Sequence, residues 1–318
     1  MLFRSTLSRK LLTFFFALAV TVGVSVSAFG QSSPLPGFPP GVFQNRAAID
    51  APRAPSYLGP GDIKSNWYFY YGTRAYSFAT LGNKLVNLCN STGGTDVLCA
   101  DASSSVSTGD LVIPGSLTSF CPGANCTIKT YYDISGNANC SSAACDATQL
   151  TIASRAILTA SVIGSKSCGV GAGAATYTSN NAMTTISTAV SVSGVARFSS
   201  ASGSPEYAGT NLSYGFGIQS GSFAFYNGGL IITDGTADTS PHAFQSIINN
   251  TASFIVTDAS TSSLQAGGLG ISGSFKLFDD SFGNFMQGAM CETGAYPAAF
   301  SGTDASNMYT NQHTYYGF

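Results

Sequence analysis

The chain has 318 residues, 44% of them hydrophobic and 12% aromatic, with a formal charge of −2. Charged residues make up only 9%, and no basic stripe is present; this excludes intrinsic disorder, which needs low hydrophobicity and high charge, and a nucleic-acid-binding footprint. A surface so poor in charge must be built from Ser, Thr, Asn and Gly, as in extracellular β-proteins and in capsid or fibre proteins.

In chain order, Arg4, Arg9 and Lys10 precede an apolar run from Leu11 to Val26, and Ala28-Phe29-Gly30 offers small residues for cleavage. Residues 1–30 therefore read as a secretory signal peptide, the only part expected to meet a membrane. Its removal takes away three cations and no acid, moving the balance from −2 to −5. The expected location is secreted, periplasmic or cell-surface. Residues 31–60 hold seven of the twelve prolines; proline fixes φ and removes backbone donors, so this stretch reads as an extended arm or linker. Residues 61–318 then form one domain.

All eight cysteines follow the leader: Cys89, Cys99, Cys121, Cys126, Cys140, Cys145, Cys168 and Cys291. An even count in an oxidising compartment reads as four disulfides. Neighbours separated by turn-rich sequence give Cys89–Cys99, Cys121–Cys126 and Cys140–Cys145, which leaves Cys168–Cys291 as one long closure. With only His242 and His313, and no Cys-x2-Cys pair, a zinc site is not expected.

Beyond Asp62 short β-like runs alternate with Gly, Ser, Asn and Asp. Ile186 to Ser193 has period two, and 222–226, 229–233, 253–257 and 274–278 are further strands bounded by turn residues. The 240s also read as a strand, because Ala243, Gln245 and Ile247 alternate into Thr251. Credible helices are nearly absent. Many short strands with regular turn signals predict an all-β antiparallel sandwich, a large two-sheet jelly roll stapled by disulfides.

Three segments carry a family resemblance: Gly72-Thr73-Arg74-Ala75-Tyr76-Ser77, the run Phe120-Cys121-x4-Cys126-x-Ile128 continuing through Tyr132-Asp133-x-Ser135-Gly136, and Phe285-Met286-Gln287-Gly288-Ala289-Met290 with Gly294-Ala295-Tyr296-Pro297. Together they resemble the catalytic domain of α-L-arabinofuranosidase B. The resemblance implies a concanavalin-like, laminin-G-like β-sandwich and a retaining glycosidase site, in which one carboxylate attacks the sugar carbon and another protonates the leaving oxygen. It places the nucleophile within Tyr214 to Gly229, a span with no carboxylate, and the acid/base at Asp280.

Asp280 and Glu292 are therefore the catalytic candidates if the chain is an enzyme, with Glu206 the only other glutamate. Asp279-Asp280 is a weak Ca²⁺ candidate, and no other cofactor is expected. The run from Trp67 to Tyr71 offers rings for sugar stacking, so Trp67 and Tyr70, with Asp133, are the ligand-binding candidates, although alternate members of a strand must also fill a core. Asp133 is expected to cap its own turn. His242 has no nucleophile elbow nearby and reads as a satisfied sandwich histidine. The leading expectation is an exported, non-catalytic domain that binds a polysaccharide or cell-surface glycan, or serves a phage-like or envelope structure. The alternative is an active glycoside hydrolase of arabinofuranosidase type.

Overall fold

The computed structural model describes residues 57–115, 117–121, 126–137, 145–186, 189–202, 206–210, 214–228, 230–267, 271–279 and 284–318. The signal-peptide reading, nearly all of the proline-rich arm, Cys140 and Asp280 lie outside the described residues. The arm's last residues do not behave as a linker. Tyr57 is buried and its hydroxyl donates to the Ala75 carbonyl, and Pro60 opens a one-turn helix, Pro60–Ile63. The Tyr57 ring lies where a Cβ on Gly109 would sit, at a residue whose φ of +71° also favours glycine. Tyr57 and Pro60, inside the stretch the proline content marked as an arm, are thus part of the packed fold.

The fold is all-β, with 19 strands among the described residues and every ladder antiparallel. Strand Gln287–Tyr296 is a hub. It pairs with Ala189–Phe198 on one edge, and on the other with Phe69–Gly72 and Lys166–Ala172 at its two ends. From Ala189–Phe198 the ladder continues through Pro241–Asn249 to Phe254–Thr257. A second run of ladders goes from Leu230–Asp234 through Ser222–Asn227, Tyr214–Gln219, Glu206–Thr210 and Ile271–Leu277 to Tyr177–Ile186. It proceeds by Ala147–Thr148 and Cys126–Tyr131 to Lys84–Thr92 and Thr95–Ser104. The two runs join through Ile157–Ile163, which pairs with Lys166–Ala172 and meets Cys126–Tyr131 at Thr127.

Rings from the two runs meet in the core. Phe216 stacks on Phe244 with centroids 3.9 Å apart, Tyr207 meets Phe244 edge-on at 4.6 Å, and Phe69 lies 4.5 Å from Phe275. Each such buried ring contributes roughly 1.5–3 kcal/mol, so these pairs anchor one run to the other.

Strands Ser222–Asn227, Leu230–Asp234, Pro241–Asn249, Phe254–Thr257 and Ile271–Leu277 lie where the sequence reads them, with bounds shifted by one to three residues. The stretch from Ile186 to Ser193 is not one strand: Ile186 ends a strand of the second run and Ala189 begins one of the first. Period two cannot tell one strand from two that happen to keep the alternation. Two of its polar positions are also not solvent-facing. Ser191 and Ser193 are fully buried: Ser191 Oγ donates to the Ala298 carbonyl at 3.0 Å and accepts from Phe300 N at 2.8 Å, and Ser193 lies under a helix absent from the sequence reading.

That helix, Gly302–Tyr316, is capped at both ends. The Ser301 hydroxyl accepts from Asp304 N at 3.1 Å, the Asp304 carboxylate accepts from Ser301 N at 3.1 Å, and Gly317 closes the C-terminus in the left-handed region. Its buried stripe, Ala305, Met308, Gln312 and Tyr316, faces the sheet. Gln312 Nε2 donates to Ser193 Oγ at 3.1 Å and accepts at Oε1 from Gln245 Nε2 at 3.0 Å.

Cys89–Cys99, Cys121–Cys126 and Cys168–Cys291 are disulfides, the last spanning 123 residues, and Cys145 is also disulfide-bonded.

Candidate functional site

The hub strand carries Glu292, and the structure seals it. Arg74 Nε and Nη2 donate to its two carboxylate oxygens, the Nη2 bond at 2.8 Å; Gln312 Nε2 donates to Oε1 at 2.9 Å and the Tyr316 hydroxyl to Oε2 at 3.1 Å. Both charged side chains are fully buried. The Tyr315 ring caps the guanidinium at 4.6 Å, and Nη2 also donates to Asn311 Oδ1 at 2.9 Å. Burial works against the Arg74 charge, but the Glu292 carboxylate outweighs it and holds the guanidinium well above its usual range. Burial, reinforced by Glu292, likewise pushes the Tyr316 phenol up. A carboxylate with four donors and no solvent cannot attack a sugar carbon, so Glu292 belongs to the scaffold.

Trp67 and Tyr70 are also corrected. Both are fully buried, and every residue of strand Phe69–Gly72 is covered. The Trp67 indole donates to the Lys64 carbonyl at 2.7 Å, and its ring meets Tyr70, Tyr296 and Phe300 at 5.1–5.9 Å. A ring enclosed on both faces has none left for a sugar. Asp133 makes the turn its sequence predicts: Oδ1 accepts from Ser135 N at 3.0 Å and Oδ2 from Ser135 Oγ at 3.1 Å. Oδ1 also takes Tyr70 N at 2.9 Å, so the carboxylate ties the turn to strand Phe69–Gly72 rather than facing a ligand. Burial raises its carboxyl despite these donors.

The remaining carboxylates are dispersed. Glu206 opens strand Glu206–Thr210. Asp279 is buried and accepts from Thr176 Oγ1 at 3.0 Å and Lys276 Nζ at 2.9 Å; a carboxylate already paired with an ammonium is a poor Ca²⁺ ligand. Within the span from Tyr214 to Gly229, residues Tyr214 to Asn227 form an antiparallel hairpin whose Tyr214, Phe216, Ile218, Phe223 and Phe225 fill the core. The acid nearest it in the ladder is Asp234, opposite Phe223, buried and accepting from Ser260 Oγ at 3.3 Å. Cys89, Asp96 and Cys99 have the spacing of a metal site, but the sulfurs form a disulfide and Arg155 holds Asp96, lowering its pKa to about 2.

His242 is the satisfied histidine its sequence context suggests. Nε2 lies 2.9 Å from Asp238 Oδ1 and Nδ1 is bonded to Asp258, whose other oxygen accepts from Ala243 N at 2.9 Å. Burial alone would lower its pKa; the two carboxylates outweigh burial and raise it.

Sequence reasoning missed the partners Arg74 makes under the helix. The available signals were Ser301-x-x-Asp304, Gly317, and the 305/308/312/316 spacing.

No protein-family model matches the sequence, and no curated protein matches it. The tertiary structure is an arabinofuranosidase-like all-β fold. It is similar to a GH54 α-L-arabinofuranosidase soaked with a cyclic sulfate inhibitor, with TM-score 0.61 and 15% identity over 81% of this chain and 66% of that one. An arabinofuranosidase complexed with arabinofuranosyl-α-1,2-xylobiose gives TM-score 0.61 and 15% identity over 81% and 65%. A glutamate-to-glutamine mutant of a GH54 enzyme soaked with 4-nitrophenyl α-L-arabinofuranoside gives TM-score 0.58 and 16% identity over 81% and 66%. At this identity the likeness defines the fold. The chain spans about two thirds of the length of the enzymes it matches.

Proposed function

We propose that this chain is an exported, non-catalytic glycan-binding protein on a two-sheet, concanavalin-like sandwich of arabinofuranosidase type. The two runs of ladders, facing each other through Phe216–Phe244 and Phe69–Phe275, support the two-sheet reading. The leader and the disulfides support export. One observation carries the loss of catalysis: the hairpin where the resemblance puts the nucleophile is filled by buried aromatic rings; the locking of Glu292 to Arg74 supports it. Retaining hydrolysis needs two carboxyl groups about 5–5.5 Å apart in one groove; Asp280 alone donates a proton but cannot complete the displacement.

Assaying the mature protein on 4-nitrophenyl α-L-arabinofuranoside beside a glycan array tests this. Binding without turnover is expected. The competing reading, an active hydrolase, draws on the likeness to solved arabinofuranosidases. Turnover abolished by Asp280→Asn establishes that reading and removes this one.

A further inference from the structure

A groove of about 750 Å³ lies between the C-terminal helix and the segment from Tyr57 to Ile63, within the range of ordinary ligand sites. Three features of it point the same way. The helix contributes a stripe of neutral polar side chains: Asn307, Thr310 and Thr314 are exposed and make no hydrogen bond within the described protein, beside Asn311. The facing segment contributes apolar surface, with Leu58 50% exposed. Among the described residues no acid lines the groove, and its cations are neutralised: Lys166 Nζ lies 2.6 Å from Asp110 Oδ1, and Arg74 behind it is paired with Glu292.

Arg74 supplies an independent observation behind the wall. Its Nε–Nη2 edge is taken by Glu292, so the Nη1–Nη2 edge turns toward Asn311, a groove residue, and Nη1 has no hydrogen-bond partner. A fully buried donor is seldom left this way in a finished core. Asn311 accepts from Nη2 and donates from Nδ2 to the Leu58 carbonyl at 2.9 Å, so it ties the helix wall of the groove to the facing segment.

We propose that this groove binds a neutral oligosaccharide, with sugar hydroxyls on the Asn307/Thr310/Thr314 stripe and an apolar sugar face against Leu58. Local charge neutrality selects a neutral glycan over a uronate. The inference rests on the glycan-binding reading above and assigns it a site.

The test titrates the mature protein, by calorimetry, with arabinofuranosyl-xylobiose, a neutral arabinan oligosaccharide and an oligogalacturonide. The neutral probes are expected to bind, and Asn307→Ala/Thr310→Ala/Thr314→Ala is expected to weaken them at least tenfold. These exposed positions leave thermal unfolding unchanged, which separates a lost site from a lost fold. Leu58→Asp gives a second variant, expected to weaken neutral probes through the opposite wall. Unaltered affinity in both variants overturns the groove while leaving glycan binding standing. Preference for the oligogalacturonide overturns the neutral class, and a wild-type protein that binds none of the probes, on this panel or on the array, overturns both readings.

Discussion

The Arg74–Glu292 pair and the Asp238–His242–Asp258 bridge both join a cation to carboxylates, yet they meet water differently. The first is fully buried beneath the C-terminal helix; in the second, the Asp238 side chain is 57% exposed. Taking a charge out of water costs several kcal/mol, recovered only while its partners hold. The sealed pair therefore matters through the penalty for breaking it, and the wetter bridge through its titration. One cluster defines a structure and the other tunes it.

The largest expected effect beside the sealed pair comes from its covalent neighbour. Cys168→Ala/Cys291→Ala opens a closure of 123 residues, and the chain-entropy model assigns such loops roughly 4–5 kcal/mol. Urea unfolding of the oxidised proteins measures it. A change under about 1 kcal/mol would mean that the hub strand is held by its ladders alone.

Glu292→Gln should cost about 3–5 kcal/mol, because it leaves the Arg74 guanidinium buried without its counter-charge. Arg74→Met/Glu292→Met should recover most of that loss, since apolar groups of similar volume carry no desolvation penalty. If the single and double variants are equally unstable, the pair is not acting through charge.

Trp67→Ala should also cost about 3–5 kcal/mol, as other large core truncations do, and leave glycan affinity unchanged once folded protein is compared. Lost affinity at full stability would return Trp67 to the binding residues.

The smallest effect belongs to the bridge. The folded pKa of His242 is raised above its ordinary 6.5, so its contribution is complete below that pH and is lost as pH rises through the folded value. Asp238 is depressed, chiefly by the Ser240 backbone N–H, and its contribution disappears as pH falls through its folded pKa. His242→Asn should remove about 1 kcal/mol near pH 5 and much less near pH 9, a partly exposed bridge being screened by solvent. Stability curves for the two proteins that stay parallel from pH 5 to 9 would show that the imidazole does not titrate in this range.

Much of the local structure was legible because its causes are local. Cys89 and Cys99 face each other across a hairpin, and Asp133 meets Ser135 two residues away. The strand at 241–249 followed from alternation, although both of its faces are buried. The C-terminal helix was not legible, since Thr, Asn, Ser and Tyr are weak helix formers and its stability comes from tertiary partners: Gln312 bonds Ser193, Gln245 and Glu292, and Tyr316 bonds Glu292. Trp67 and Tyr70 were misread for a related reason: a strand's aromatic run has the same sequence whether one face or both are covered.

Periodicity, spacing and residue identity do not depend on distant partners, and they were enough for the strand-rich class, the pairing of Cys89 with Cys99 and of Cys121 with Cys126, and the lack of a carboxylate between Tyr214 and Gly229. It took the packed fold to make Glu292 a buried counter-ion, to put Ser191 and Ser193 in the interior, and to bring Asn307, Thr310 and Thr314 into one groove with Leu58. Burial and charge pairing are properties of what packs against a side chain, and here the packing partners are the C-terminal helix and the segment that leads into it.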